Sequence, residues 1–185
     1  MKAAHPDSSV EVWAQDEARI GLMPILRRVW SARGKRPVAR VVHRYEWVYV
    51  YGFVHPRSGR VVWLLLPRMN TEMMNLALQR FADDIGASEK RRVVLLLDGA
   101  PSHTANKLVV PEGIHLVIQP PYSPEIQPAE HLWPLLRESV ANQAFDNIEQ
   151  LEQKLVERCR ILDQKPDVIS STTCFHWWPQ DAIAA

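Results

Sequence analysis

Gln119-Pro120-Pro121-Tyr122-Ser123-Pro124-Glu125-Ile126-Gln127-Pro128-Ala129-Glu130-His131-Leu132-Trp133 reads as a proline-stiffened turn running straight into an amphipathic helix. Pro120, Pro121 and Pro124 fix φ and restrict the residues before them, which excludes regular structure just ahead of the helix. Pro128 stands where a first-turn proline is tolerated. Ala129, Leu132, Trp133, Leu136 and Val140 then recur at i, i+3, i+4, i+7 and i+11, forming one apolar face. Glu130 falls about 100° round from the centre of that face, so it is a carboxylate at the edge of the core in the first helical turn. A rigid loop that aims a single acid is more than packing requires, and the rest of the chain supplies two acids to match it.

Upstream, Arg92 to Asp98 (RVVLLLD) has the continuous apolar run of a buried strand, with an acid at its C-terminal end. Ala105 to Val109 reads as a short helix and His115 to Ile118 as a short strand. Asn70-Thr71 can cap a helix from Glu72 to about Ile85, whose buried stripe is Met74, Ala77, Leu78, Phe81 and Ile85. Trp47 to Val54 (WVYVYGFV) is apolar on both faces, the pattern of a central, covered strand. Across a loop at His55 to Gly59, Arg60 to Leu66 returns as its neighbour. Val10 to Asp16 (VEVWAQD) alternates and is rich in β-formers, so it reads as a strand ending at Asp16; Val38 to Val42 reads as another short strand. Downstream, Asp146 and Glu149 form a capping-box pattern opening a helix with the stripe Ile148, Leu151, Leu155, Cys159 and Leu162. The aromatic tail, Cys174-Phe175-His176-Trp177-Trp178, is expected to dock on the domain. The order predicts an α/β fold, a mixed sheet covered by helices, as one domain spanning 1–185.

At 185 residues the chain can bury a sizeable core, and its apolar and charged fractions are ordinary for a globular protein. No apolar run approaches a membrane span, Val93 to Leu97 being only five residues, and Met1 to Ser9 lacks a signal-peptide pattern. Cys159 and Cys174 form no CxxC, which argues against a disulfide framework or zinc knuckle and for a reducing cytoplasm. The net charge is only +1, but residues 18–45 carry eight basic side chains and no acid, leaving the remainder near −7. Such polarity suits a polyanion-binding face as well as a solvated hairpin.

Asp16 and Asp98 each end a predicted strand, and Glu130 opens a helix. If the two strands are sheet neighbours, these carboxylates converge. Crowded acids repel, and one keeps its proton unless a cation intervenes. Mg²⁺ suits a carboxylate-plus-water site, and two ions about 3.5–4 Å apart can activate an attacking hydroxyl and stabilise a leaving oxygen of a phosphodiester. Each acid also has a plainer reading: either Asp as a turn former, Glu130 as a helix-dipole acid. Glu17 reads as solvent-facing or a salt-bridge partner, and His103 as a loop histidine or a group near the scissile phosphate.

Three ordered motifs carry a resemblance. Trp13-Ala14-Gln15-Asp16-Glu17-Ala18-Arg19-Ile20-Gly21-Leu22, with Leu26-Arg27-Arg28-Val29-Trp30 and Gly34-Lys35-Arg36-Pro37, resembles the start of the catalytic domain in bacterial insertion-sequence transposases of the mariner superfamily. Leu95-Leu96-Leu97-Asp98-Gly99-Ala100-Pro101-Ser102-His103 is similar to the second acidic motif of that family, and Pro120 to Trp133 to its third. The resemblance implies an RNase H-like, five-stranded sheet flanked by helices and a DDE triad of Asp16, Asp98 and Glu130. It also implies two Mg²⁺ (or Mn²⁺) ions held by those acids, and cleavage and strand transfer of double-stranded DNA at transposon ends in a bacterial cytoplasm. Arg27, Arg28, Arg33, Lys35, Arg36 and Arg40 are the expected DNA-backbone contacts, and His103 is an accessory position. Gln127 stands where the family usually has Asn, and 31 residues separate Asp98 from Glu130, slightly fewer than usual. With β-rich sequence starting at Val10, the helix-turn-helix region that family members carry ahead of the catalytic strand is expected to be absent. Weak end recognition is therefore expected, with a homodimer as the working state of a full-length protein. Two alternatives stand beside this: a catalytically silent DNA-binding remnant, and another RNase H-like nuclease.

Overall fold

The computed structural model describes residues 7–38, 44–104, 107–121 and 123–181. Five strands form one sheet in the order β3-β2-β1-β4-β5: β1 (Ser9–Gly21), β2 (Trp47–His55), β3 (Arg60–Leu66), β4 (Arg91–Leu97) and β5 (Ile114–Ile118). The β3-β2-β1 half is antiparallel and the β1-β4-β5 half parallel, as a mixed α/β sheet requires.

Strand alternation divides the core. Tyr51 and Phe53 of β2, with Trp13 of β1, pack on α1 (Thr71–Ile85) through Met74, Ala77, Leu78 and Phe81. Phe53 stacks on Phe81 at 4.4 Å between ring centroids, and Trp13 meets the same ring edge-on at 5.1 Å. Ala14, Ala18, Ile20, Val48, Val50 and Val54 line the opposite face. They are covered by α3 (Leu132–Arg137), α4 (Ile148–Asp163) and α5 (Pro166–Thr173) through Leu132, Leu136, Leu151, Leu155, Leu162 and Ile169. The central, doubly covered strand expected from Trp47 to Val54 is therefore present. Helix α1 is capped by Asn70, whose side chain accepts from the Met73 N–H, and ends at Gly86 in the left-handed region.

Several expectations are corrected. β1 does not stop at Asp16 but runs five residues further, because Glu17 to Gly21 pair with Tyr51 to Trp47 of β2. The short helix expected at 105–109 lies earlier, as α2 (Pro101–Thr104), with Pro101 at its first position; residues 105 and 106 lie outside the described residues, and 107–109 are not helical. Val38 has no regular structure, and the rest of the strand expected at 38–42 lies outside the described residues. The turn bearing Glu130 is a 3₁₀ turn, Pro128–His131, before α3 begins. Pro134, which the apolar pattern ignored, has no N–H to give the Glu130 carbonyl, so the α-type bond between them cannot form. The cap of α4 is Asn147, accepting from the Gln150 N–H, and not Asp146, whose own N–H is bound by the Gln150 side chain. The aromatic tail docks as expected: Trp178 is buried, and the Arg57 guanidinium donates to the carbonyls of Trp178 and Pro179.

Candidate active site

β1 and β4 lead towards two of the acids. Their parallel ladder runs to Ala14 opposite Leu96, two residues short of Asp16 and Asp98. β4 ends at Leu97, so Asp16 sits mid-strand yet at the point where its parallel neighbour leaves. On the other side Asp16 is paired with Gly52 of β2. A Cβ at Gly52 would stand 3.0 Å from Leu132 Cδ1 and 3.1 Å from the Trp133 ring. The missing side chain lets Trp133 lie close over the sheet, where its indole N–H donates to Asp16 Oδ2 at 2.6 Å.

The third acid is brought in by Gln127. Its buried side chain accepts from the Ala129 N–H and donates to the Gln15 carbonyl at 3.1 Å, one residue before Asp16. That carbonyl lies just past the end of the β1-β4 ladder, so the Gln127 amide takes the place of the departed strand. Glu130 is exposed, in the first turn, and its charge is felt at Asp16. Burial is the main cause that pushes the Asp16 carboxyl from its ordinary 3.8 up to about 7; the Trp133 hydrogen bond opposes it, while the charges of Glu17 and Glu130 add to it. Replacing Gln127 by Ala is expected to cost about 1–3 kcal/mol in urea unfolding, the range for stranding a buried polar group, and to lower the Asp16 pKa as Glu130 moves away.

Asp98 takes the turn-forming role that was the plainer of its readings. Oδ1 accepts from the Ala100 N–H at 3.0 Å, an Asx turn opening α2, and from His103 Nδ1 at 2.7 Å. Oδ2 has no partner among the described residues. The carboxyl is held below its ordinary pKa, chiefly by the His103 bond with burial opposing. His103 is buried, with Nδ1 also 3.1 Å from the Asp98 carbonyl and Nε2 2.9 Å from Glu17 Oε1. Burial alone would lower its pKa, yet the bonds to Asp98 and Glu17 push it up to about 10, so the ring is an imidazolium at neutral pH.

Of the two readings of Glu17 the salt bridge holds, with His103 as its buried partner. Two other roles escaped the sequence. Trp133 was legible only as part of an apolar stripe, although a buried indole N–H calls for an acceptor. Gln127 stood out only as a departure from a family pattern.

Among the described residues, no three His, Cys, Asp or Glu side chains close into a ready-made metal cage. The donor chemistry nonetheless suits a hard divalent cation: carboxylate oxygens, with an Asp16 carboxyl that burial chiefly, and the charges of Glu17 and Glu130 after it, drive towards protonation.

The basic arm after β1 runs without regular structure as far as it is described. Arg28, Arg33, Lys35 and Arg36 are exposed on it, beside a fully exposed Trp30. Arg27 is exposed too, but its guanidinium is paired with Glu138 and its N–H with Asn142 Oδ1 at 2.8 Å, which ties the arm's root to the turn after α3. Arg40 lies outside the described residues.

Residues 11–152 match the DDE superfamily endonuclease family. Uncharacterized protein y4pE/y4sA of Sinorhizobium fredii (strain NBRC 101917 / NGR234) is 34% identical over 134 residues, 71% of this chain and 96% of that protein. The fold is similar to that in the Mos1 strand transfer complex, with TM-score 0.56 and 18% identity over 91% of this chain and 56% of that one. It is also similar to the mariner Mos1 paired end complex with Mg, with TM-score 0.55 and 21% identity over 91% and 57%. A simian T-cell lymphotropic virus intasome aligns at TM-score 0.50 and 13% identity, over 88% of this chain and 47% of that one. At such identities the structures speak for the fold, an RNase H-like sheet of the transposase and integrase type. The chain spans a little over half the length of the Mos1 chains it matches.

Proposed function

The chain belongs to the DDE superfamily endonuclease family, and we propose that it acts as a transposase catalytic domain, cutting and joining double-stranded DNA at transposon ends with Asp16, Asp98 and Glu130 as its acids. The observation that supports this reading is the junction where β4 ends: the β1-β4 ladder stops two residues short of Asp16 and Asp98, and the charge of Glu130 bears on the Asp16 carboxyl. Asp16, Asp98 and Glu130 would hold two Mg²⁺ or Mn²⁺ ions, which supply Lewis acidity at the phosphodiester and a more acidic attacking hydroxyl.

The residues around the acids do the positioning. Trp133 holds one oxygen of Asp16, and His103 one oxygen of Asp98, so each keeps the other free for a ligand. Glu130, exposed on the rim, can meet the incoming strand. Arg28, Arg33, Lys35 and Arg36 on the arm offer phosphate contacts, with the steep salt dependence such contacts bring. Arg27, engaged by Glu138, contributes less than its charge suggests. Two ends must be held together in transposition, so the working state of the whole protein is a dimer.

A DNA-binding remnant without catalysis is the second reading, favoured by the lack of a closed metal cage among the described residues. Calorimetry with Mn²⁺ followed by plasmid nicking on the same sample separates the two. Saturable Mn²⁺ binding, with nicking abolished by EDTA, is the expected result. DNA binding indifferent to EDTA, with no nicking, would establish the remnant. Preferential cutting of RNA–DNA hybrids over linear duplex would move the assignment to a nuclease outside transposition.

A further inference from the structure

We infer that Glu17 is a positioning residue: working through His103, it holds the Asp98 carboxylate with one oxygen bound and the other open. The inference rests on the reading of Asp98 as a metal ligand.

Glu17 follows Asp16 in sequence, but successive strand residues face opposite sides of a sheet. Asp16 therefore points to the Trp133 side, and Glu17 to the α1 side, beside Tyr51 of β2 in the paired register. There the Glu17 side chain is only 4% exposed and that of His103 not exposed at all. A buried carboxylate is costly unless paired, and the partner recorded for Glu17 is His103 Nε2, at 2.9 Å. The other ring nitrogen donates to Asp98 Oδ1 at 2.7 Å. Both nitrogens face acceptors, so both carry protons and the ring cannot turn without losing a bond at each end. Glu17, His103 and Asp98 thus form a strut from the middle of β1, through α2, to the end of β4.

The strut has a directional consequence. Asp98 follows the last residue of β4, where no ladder holds it, and its side chain is 41% exposed. Left alone it would sample several rotamers. With Oδ1 occupied by His103 and the Ala100 N–H, its orientation is set. Without Glu17, the Nε2–H would be a buried donor with nothing to bind, and the ring would shift and release Asp98. Outer-shell partners of this kind change metal affinity by about 10–100-fold when removed.

The test compares Glu17→Ala, Glu17→Gln and Asp98→Asn with the parent, by Mn²⁺ calorimetry and by NMR of the His103 ring in the metal-free protein. Asp98→Asn is expected to lose Mn²⁺ binding, and Glu17→Ala to weaken it about 10–100-fold with loss of the slowly exchanging Nε2–H signal. Glu17→Gln, whose amide oxygen can still accept from Nε2–H, is expected to keep that signal and to bind Mn²⁺ within roughly threefold of the parent. Parent affinity in Glu17→Ala, with binding lost in Asp98→Asn, would overturn the role of Glu17 and leave the three acids standing. Parent affinity in Asp98→Asn would instead overturn the metal-ligand reading itself. Equal weakening in both Glu17 variants would show an effect of charge and not of position, which also overturns the inference. If Glu17→Ala does not fold, Glu17→Gln decides: the ring signal kept with near-parent affinity upholds the strut, and weakened binding removes it.

Discussion

Asp98→Asn is expected to abolish metal-dependent nicking while leaving the fold intact. A divalent ion at a reacting phosphate supplies several kcal/mol of charge stabilisation in the transition state, so loss of one ligand should slow cleavage by about 10³-fold or more. Folding should survive, because the amide oxygen of the substituted side chain can still accept from the Ala100 N–H and from His103, as Oδ1 of Asp98 does. What disappears is a charge whose pKa is held down by His103. A carboxylate with a lowered folded pKa adds stability above its unfolded value of 3.8 and loses it as pH falls through the folded value. The cost of the substitution is therefore felt at neutral pH and vanishes in acid. It should be small, because the side chain is 41% exposed and well screened. Gel assays of plasmid nicking and a circular-dichroism melt check the two halves separately. A variant that nicks at the parent rate would remove Asp98 from the site.

Asp16→Asn is expected to do the opposite to stability: the metal-free protein becomes more stable at pH 8. Burial pushes the Asp16 carboxyl from 3.8 up to about 7, with the charges of Glu17 and Glu130 adding to it. At pH 8 folding must therefore accept a charged form that the unfolded chain accommodates more easily. With a raised folded pKa, the favourable state is the protonated one, fully present below pH 3.8 and lost as pH rises through about 7. That interval corresponds to roughly 4 kcal/mol as an upper bound, and partial solvent access reduces it to roughly 2–3 kcal/mol. Asn keeps an oxygen for the Trp133 indole and carries no charge. Urea unfolding should show the gain at pH 8 and its disappearance towards pH 4. Saturating Mn²⁺ should stabilise the parent, by about 2.7 kcal/mol at 100 times Kd, and leave Asp16→Asn unchanged. An unaltered midpoint at pH 8 would mean that Asp16 is not strained by its neighbours. Stability given up at a working site is a common exchange in enzymes.

Much of this arrangement was legible in the chain. The apolar stripe of α1, the doubly apolar β2 and the run Val93 to Leu97 required a covered sheet, since each could satisfy its pattern only by burial. The acids at 16, 98 and 130 stood in three ordered motifs; in the structure the β1-β4 ladder stops two residues short of Asp16 and Asp98, and the charge of Glu130 bears on Asp16. Boundaries were less legible. β1 outran its alternating pattern because an antiparallel partner continued beside it, and Pro134 tightened a turn that the apolar period alone made α-helical.

Local rules therefore determined which residues form strands and helices and which faces they bury, because periodicity and proline chemistry act within a few residues. Only the tertiary structure decided how those elements share their polar groups. The opposite facings of Asp16 and Glu17 follow from alternation, but that Glu17 meets His103, Trp133 meets Asp16 and Gln127 meets the Gln15 carbonyl depends on contacts 86, 117 and 112 residues apart. No local pattern encodes such contacts. They exist because buried donors and acceptors must be paired, and packing settles which partners come within reach.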